Sequence, residues 1–350
     1  MTKIKFVTGI TFAVICTFIG SLTIHAQSTA DAVAYMDEIG EQYQRISKEM
    51  WDYTSTMAHS RSARKVEKKR IQLLNTVKDA KYAVKKIGAF DKDYSLRDSV
   101  VAFLSLNYDV LNNDFEKIVD MEEVAEQSYD LMEAYLLASE MANEKLDLAA
   151  DRMEIQYEGF AEKYGVKLID SEDKISKKLK QSSEVMKYYN QVYLVFFKAY
   201  KQEIYLLDAL QGKDINAIEQ NRNALLSFSD EGLTKLPPIG HYKGDNSVNA
   251  ACKRMLNFYK DEAETNIPVL ADFIMTANKY EEMVALFESK DRMLLTNDEV
   301  NEYNKAADTY KKGINKFNST INSMNTRRNN NLNTWNNAVN SFMTRHIPKK

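Results

Sequence analysis

The chain has 350 residues, 28% of them charged and 44% hydrophobic, with a formal net charge of −3. Eleven Gly and four Pro are too few to punctuate a sheet-rich fold, and the apolar content is too high for general disorder. The modest acidity gives no global attraction to nucleic acid.

Residues 1–26 read as a signal peptide. Lys3 and Lys5 form a basic start, Phe6 to Ile24 is an apolar run, and Ile24-His25-Ala26 offers a small residue before a cut between Ala26 and Gln27. The alternative is an uncleaved membrane anchor, since the run is nearly long enough to cross a bilayer. Ile15 before Cys16 argues against lipid attachment. Cleavage would take the net charge from −3 to −5 and leave Cys252 as the single cysteine, which excludes an internal disulfide.

The first mature helix is expected to start near Ser28 or Thr29, with Met36, Ile39, Tyr43, Ile46, Met50, Tyr53 and Met57 as its buried seam. A second helix from about Ser62 to Ile87 buries Leu73, Val77, Ala80 and Val84 and stops at Gly88 in a left-handed conformation. Arg70 falls on that seam and is expected to snorkel or to pair with a carboxylate. Ser95 and Asp98 open a third helix, and Asn112-Asn113-Asp114 reads as a kink or a turn.

Asn112 to Tyr164 reads as one long helix. Met132, Tyr135, Ser139, Ala142, Leu146, Ala149 and Met153 form its seam, and Glu122, Glu123, Glu126, Asp130, Glu133 and Glu140 fall on the opposite face. The second helix presents Arg61, Arg64, Lys65 and Lys68 away from its own seam. These acidic and basic ridges are the candidate interaction surface. Each alone is an ordinary solvated face; facing each other across an interface they would fix register more than add stability.

A helix from Ser171 to Gln211 follows, ending at Gly212, with Tyr189 to Phe197 as its most enclosed segment. Asp214 starts a shorter helix to about Lys235, and Pro237–Asn246 is the one long connection, either a plain connector or a recognition loop. Ser247 resumes a helix that Pro268 must break or kink. Thr296 and Glu299 form a capping box for the last helix, on which Val300, Tyr303, Ala307, Tyr310, Ile314, Phe317, Ile321 and Met324 repeat in heptad steps. The pattern lapses at Arg328 and resumes at Leu332, Trp335, Val339 and Phe342; at 1.5 Å per residue this helix is roughly 70 Å long.

The resulting fold class is all-α: an elongated antiparallel bundle of long helices, divided as residues 27–165 and 166–350, with two tandem four-helix units as one arrangement. Leu106-Asn107-Tyr108 recurs as Leu256-Asn257-Phe258, and Tyr129-Asp130-Leu131-Met132 as Tyr280-Glu281-Glu282-Met283. Those offsets of 150 and 151 suggest a duplication, although amphipathic helices resemble one another without common descent.

The chemistry of an enzyme is not visible. None of the four histidines, His25, His59, His241 and His346, follows a Glu at the spacing of a di-metal carboxylate bundle, so no metal or other cofactor is expected. Phosphate loops and nucleophile elbows are absent, and Cys252 shares a seam with Val248, Met255 and Tyr259, as a small core residue does.

The runs Met50-Trp51-Asp52-Tyr53-Thr54-Ser55, Ala58 to Glu67 and Lys117 to Tyr135 resemble a family of uncharacterised, exported, helical bacterial surface proteins. The resemblance is clearest over residues 36–165. It implies an exported, envelope-associated protein and supplies no catalytic residue, ligand or partner. The expectation is therefore a non-enzymatic protein of the bacterial periplasm or cell surface, contacting an unidentified envelope protein or surface component, with a homo-oligomer as one form. Nucleic acid is not an expected partner, and membrane association would require a retained signal. The alternative is a periplasmic small-molecule or lipid carrier with a cavity beside Tyr189–Phe197.

Overall fold

A computed structural model describes residues 26–60, 62–168, 174–290 and 295–348. Among them are ten α-helices and no β-structure beyond two isolated bridges, so the fold is an all-α helical bundle. The helices are α1 (Ala26–His59), α2 (Ala63–Lys86), α3 (Ser95–Asp109), α4 (Phe115–Ala125), α5 (Tyr129–Lys163), α6 (Lys174–Gln211), α7 (Ile215–Ile239), α8 (Ser247–Asp261), α9 (Ile267–Ser289) and α10 (Asn297–His346). The chain forms two compact units, Met1–Asn190 with Ser341–Lys350, and Gln191–Asn340.

In the first unit the expected α1 seam is buried from Met36 to Met57. Tyr157 of α5 donates its hydroxyl to the Met36 carbonyl at 3.2 Å, and Tyr35 stacks on Phe160 with centroids 5.5 Å apart. Arg70 pairs with Glu67 and also donates to the Leu111 carbonyl at 2.6 Å. That carbonyl belongs to a π-helical turn, Val110–Asp114, which joins α3 to α4 without a break. A π turn carries one extra residue, leaving carbonyls mismatched for the regular ladder and open to a side-chain donor. The triplet Asn112-Asn113-Asp114 lies inside this turn.

Asn112–Tyr164 is therefore not one helix. α4 ends at Ala125, and Ser128, in extended backbone, caps α5 by accepting from the Leu131 amide at 3.2 Å. The acids Glu123, Glu126, Asp130 and Glu133 keep steps of three and four in sequence across the turn, which is what made it look continuous.

In the second unit Asp214 caps α7, accepting from the Ala217 amide at 3.0 Å. α7 continues through Pro237 and Pro238 to Ile239, so the connection expected from Pro237 is only residues 240–246. Another π turn, Glu262–Asn266, precedes α9. Pro268 sits in the first turn of α9, where the wider turn relieves the clash a proline ring makes with the carbonyl four residues back. The capping box forms as expected: the Thr296 amide donates to Glu299 at 3.0 Å, and the Glu299 amide to Thr296 Oγ1 at 3.3 Å.

One helix stop differs from the sequence reading: α2 ends in extended backbone at Ile87 and not in a left-handed Gly88. α6 ends at Gln211 as expected, and Lys213, before α7, has a positive φ of 54°. α3 is held by Asp93, whose Oδ1 accepts from the Ser95 amide at 2.8 Å.

The two halves repeat one design. The N-caps Ser62 and Asp214 lie 152 residues apart, as do Ser95–Asp109 and Ser247–Asp261, and both π turns. Between the second and third helix of each half a tight turn closes, Phe90 to Asp93 and Tyr242 to Asp245, with its two central residues at positive φ. Glu67 and Arg70 form a one-turn ion pair that Glu219 and Arg222 repeat. Buried Leu73, Val84, Leu104, Leu111 and Ile118 match buried Leu225, Leu236, Leu256, Ala263 and Leu270. From α2 to α9 the register is 152, not the 150 and 151 of the short sequence matches; the buried positions of α1 and α6 align at an offset of 153, and those of α5 and α10 at 182. Each half contains five of the described helices.

Candidate functional site

The duplicated design exposes what the second half does differently. By the register of buried positions, Met50 of α1, Val110 of the π turn and Leu146 of α5 are each buried and apolar in the first half. Their counterparts in the second half are Glu203 of α6, Glu262 of the π turn and Arg328 of α10. Arg328 donates from Nε to Glu203 and from Nη2 to Glu262 Oε1, the latter at 2.5 Å. Glu203 and Glu262 are 1% and 0% exposed.

Two carboxylates against one guanidinium would leave a buried net negative charge. Burial, and then the neighbouring Glu203 carboxylate, push the Glu262 carboxyl well above its usual range, with Arg328 opposing them. Glu262 Oε2 is buried with no donor facing it. A proton there turns the repulsion with Glu203 into a shared hydrogen bond and brings the cluster to neutrality. The Tyr259 hydroxyl is also buried without a partner, and its pKa is raised by burial and by the same carboxylates.

The cluster is closed to solvent, so it has no place for a substrate to meet these groups. Its ion pairs tie α10 to α6 and to the π turn. Charged side chains tolerate fewer arrangements than apolar ones, at a cost in stability.

The sequence-predicted ridges fare differently. Arg64, Lys65 and Lys68 are exposed on α2, as expected, while Arg61 lies outside the described residues. Glu122 and Glu123 stand on α4, with side chains outside the described set. Glu126 follows the end of α4, and Asp130 and Glu133 stand on α5. The acidic ridge is therefore divided between two helices and the turn that joins them. Glu133 accepts from the Tyr129 hydroxyl at 3.1 Å, and Glu140 pairs with Lys187 at 3.7 Å. Among the described residues no ion pair links the basic ridge to the acidic one.

The expected cleavage site, Ala26 and Gln27, occupies the first turn of α1, and residues 1–25 lie outside the described residues. No described helix is long and apolar enough to cross a membrane, and no described group of three His, Cys, Asp or Glu side chains could hold a metal ion. Cys252 is a buried free thiol that burial pushes upward in pKa, its Sγ 3.9 Å from the Val192 carbonyl.

Tyr189–Phe197 is packed through most of its circumference, with Gln191 as its exposed position. Phe196 stacks on Trp335 with centroids 4.3 Å apart, and Tyr193 on Phe197 at 5.6 Å.

The other departure of the second half is a long hairpin. α9 has 23 residues where its counterpart α4 has 11, and α10 has 50 where α5 has 35. Phe273, Tyr280 and Phe287, seven residues apart on α9, meet Phe317, Tyr310 and Tyr303 on α10 in antiparallel order, with centroids 4.7, 4.8 and 4.4 Å apart. The heptad on α10 was legible in the sequence; its aromatic partners on α9 were missed, although their spacing of seven was the available signal. Between Ala277 and Met324 none of the described residues is buried.

Comparison with known proteins leaves the chain without a shown family: no family model matches it, and no curated protein or solved structure is similar to it.

Proposed function

We propose that this is a non-enzymatic, exported helical protein of the bacterial envelope or surface, working by contact through the extended α9–α10 hairpin. The observation that carries the reading is the extension itself. The first half shows that the bundle closes with a three-residue turn at this point, Glu126-Gln127-Ser128, so the fold does not require residues 278–310. None of the described residues of that segment is buried, yet its helices are kept in register by the aromatic pairs. A long two-helix arm with a mostly solvated surface is suited to reaching a partner. Export rests on the reading of residues 1–26 and on the family resemblance.

The test replaces residues 278–310 with Glu126-Gln127-Ser128 and compares binding to the native envelope fraction. Retained helical content with lost binding supports the reading. Undiminished binding by the shortened chain overturns it. N-terminal sequencing of the exported protein checks the cleavage: Gln27 is expected first, and a retained Met1 refutes it.

A further inference from the structure

A second site lies on the outer face of α8 and α10. An open cleft of about 320 Å³ is lined by Arg254, Asn257, Phe258, Arg327, Asn330 and Asn331. Arg327 is already matched: it pairs with Asp261 at 2.6 Å, and its guanidinium lies 5.4 Å from the Phe258 ring centroid. Arg254 has no carboxylate partner among the described residues. Its Nε donates to Asn331 Oδ1 at 2.7 Å, and Asn331 is buried. That bond orients the guanidinium and leaves its two terminal amino groups available as a fork.

The first half again provides an internal control. At the equivalent positions it carries Ala102, Ser105 and Leu106 on α3, and Lys145, Leu148 and Ala149 on α5. Leu106 and Leu148 are exposed there, so the bundle packs without any arginine or asparagine on this face. In the second half the same face is remade with two arginines and three asparagines. An asparagine amide offers both a donor and an acceptor, the pairing a hydroxyl uses.

We propose that this cleft binds a small polyhydroxylated carboxylate, of the chemical class of a uronic acid. Arg254 forks the carboxylate, and Asn257 and Asn330 bond the hydroxyl groups. The site does not depend on the hairpin or on export.

The test is titration calorimetry on the full chain with sodium glucuronate, and with glucose as the uncharged control. Saturable binding of glucuronate, at least tenfold tighter than any binding of glucose, is expected. Arg254→Ala should weaken it about ten- to hundredfold, since a charge-assisted fork is lost. Asn330→Leu, which installs the residue found at the first-half position, should also weaken it. Asn330 is exposed, so Asn330→Leu should keep the parent melting temperature; Arg254→Ala removes the donor to buried Asn331 and should lower it, so Asn330→Leu tests the site without that loss. No saturable binding up to about 10 mM, where association is barely favourable, overturns the proposal. Equal binding of glucose overturns it, as does binding unchanged by Arg254→Ala.

Discussion

Replacing the buried charges by their first-half counterparts, Glu203→Met with Glu262→Val and Arg328→Leu, should leave the second unit as stable as the parent or more so. Arg328 holds two carboxyl groups that are 1% and 0% exposed. Removing the arginine alone strands both, and breaking a buried pair in this way costs about 3–5 kcal/mol. Removing all three charges together abolishes the desolvation penalty, and well-packed apolar replacements of such clusters range from neutral to about 4 kcal/mol more stable. The incoming side chains are smaller in sum, and residual cavity volume lowers that gain by about 24 cal/mol per Å³. The triple variant is therefore expected to lie between parity and about 3 kcal/mol of added stability.

The chain has two tryptophans, Trp51 in the first unit and Trp335 in the second. A Trp51→Phe background makes Trp335 the fluorescence reporter, and its stacking on Phe196 ties its signal to the core around the cluster. Urea titration of that background, of Arg328→Leu and of the triple variant gives the ordering. A triple variant as unstable as Arg328→Leu would refute the reasoning, because the apolar layer of the first half would then not be transferable.

Glu262 gives a pH signature. Its carboxyl is raised in the fold, so its contribution is fully present below the ordinary carboxyl value of about 4.5 and is lost as pH rises through the raised value. The groups that face it are Glu203 of α6, Tyr259 of α8 and Arg328 of α10. Urea midpoints followed by Trp335 should fall more steeply between pH 5 and pH 8 in the parent than in Glu262→Gln, and parallel profiles would exclude the buried proton. Gly232→Ala should destabilise by about 1–3 kcal/mol through overpacking, less a helix-propensity gain of about 1 kcal/mol. Its new Cβ would come within 2.9 Å of Leu256 and 3.1 Å of Val195, whereas the first half has Ala80 there; a raised melting temperature would contradict this. Lys92→Gly should stabilise by about 0.5–1 kcal/mol, because Lys92 holds φ at 64° where the second half has Gly244 at 85°. Thermal melts check the sign.

Much of the fold was legible because its seams follow helical spacing without interruption. Met36 to Met57 and Met132 to Met153 are buried as their spacing requires, and the Thr296–Glu299 box is formed by local hydrogen bonds that a sequence states directly. The lapse at Arg328 illustrates the limit. Hydrophobicity fails there but the seam does not: Met324, Arg328, Asn331 and Trp335 keep steps of four and three. A pattern search that counts apolar residues sees a stutter, while the structure shows a position filled by a paired charge. The pairing partners, 125 and 66 residues away, leave no trace in local spacing. The break at Glu126–Ser128 was hidden for a different reason: the acids on either side keep helical spacing in sequence across a turn of only three residues. The internal repeat was visible only as two short matches, because its register is carried by burial and caps more than by identity.

The path of the chain also constrains how the protein can be made. Residues 341–348 belong with the first unit: His59 Nε2 lies 2.8 Å from the Ile347 carbonyl, Gln181 donates to the His346 carbonyl at 2.8 Å, and Ile347 is fully buried. The amino-terminal unit thus lacks part of its interior until the whole second unit has been synthesised. A chain still being synthesised can form α1 to α5 but cannot complete that unit until residues 341–348 are available to it. Removal of residues 341–348 would therefore open the interior of the first unit, although the missing segment lies beyond the whole of the second in sequence.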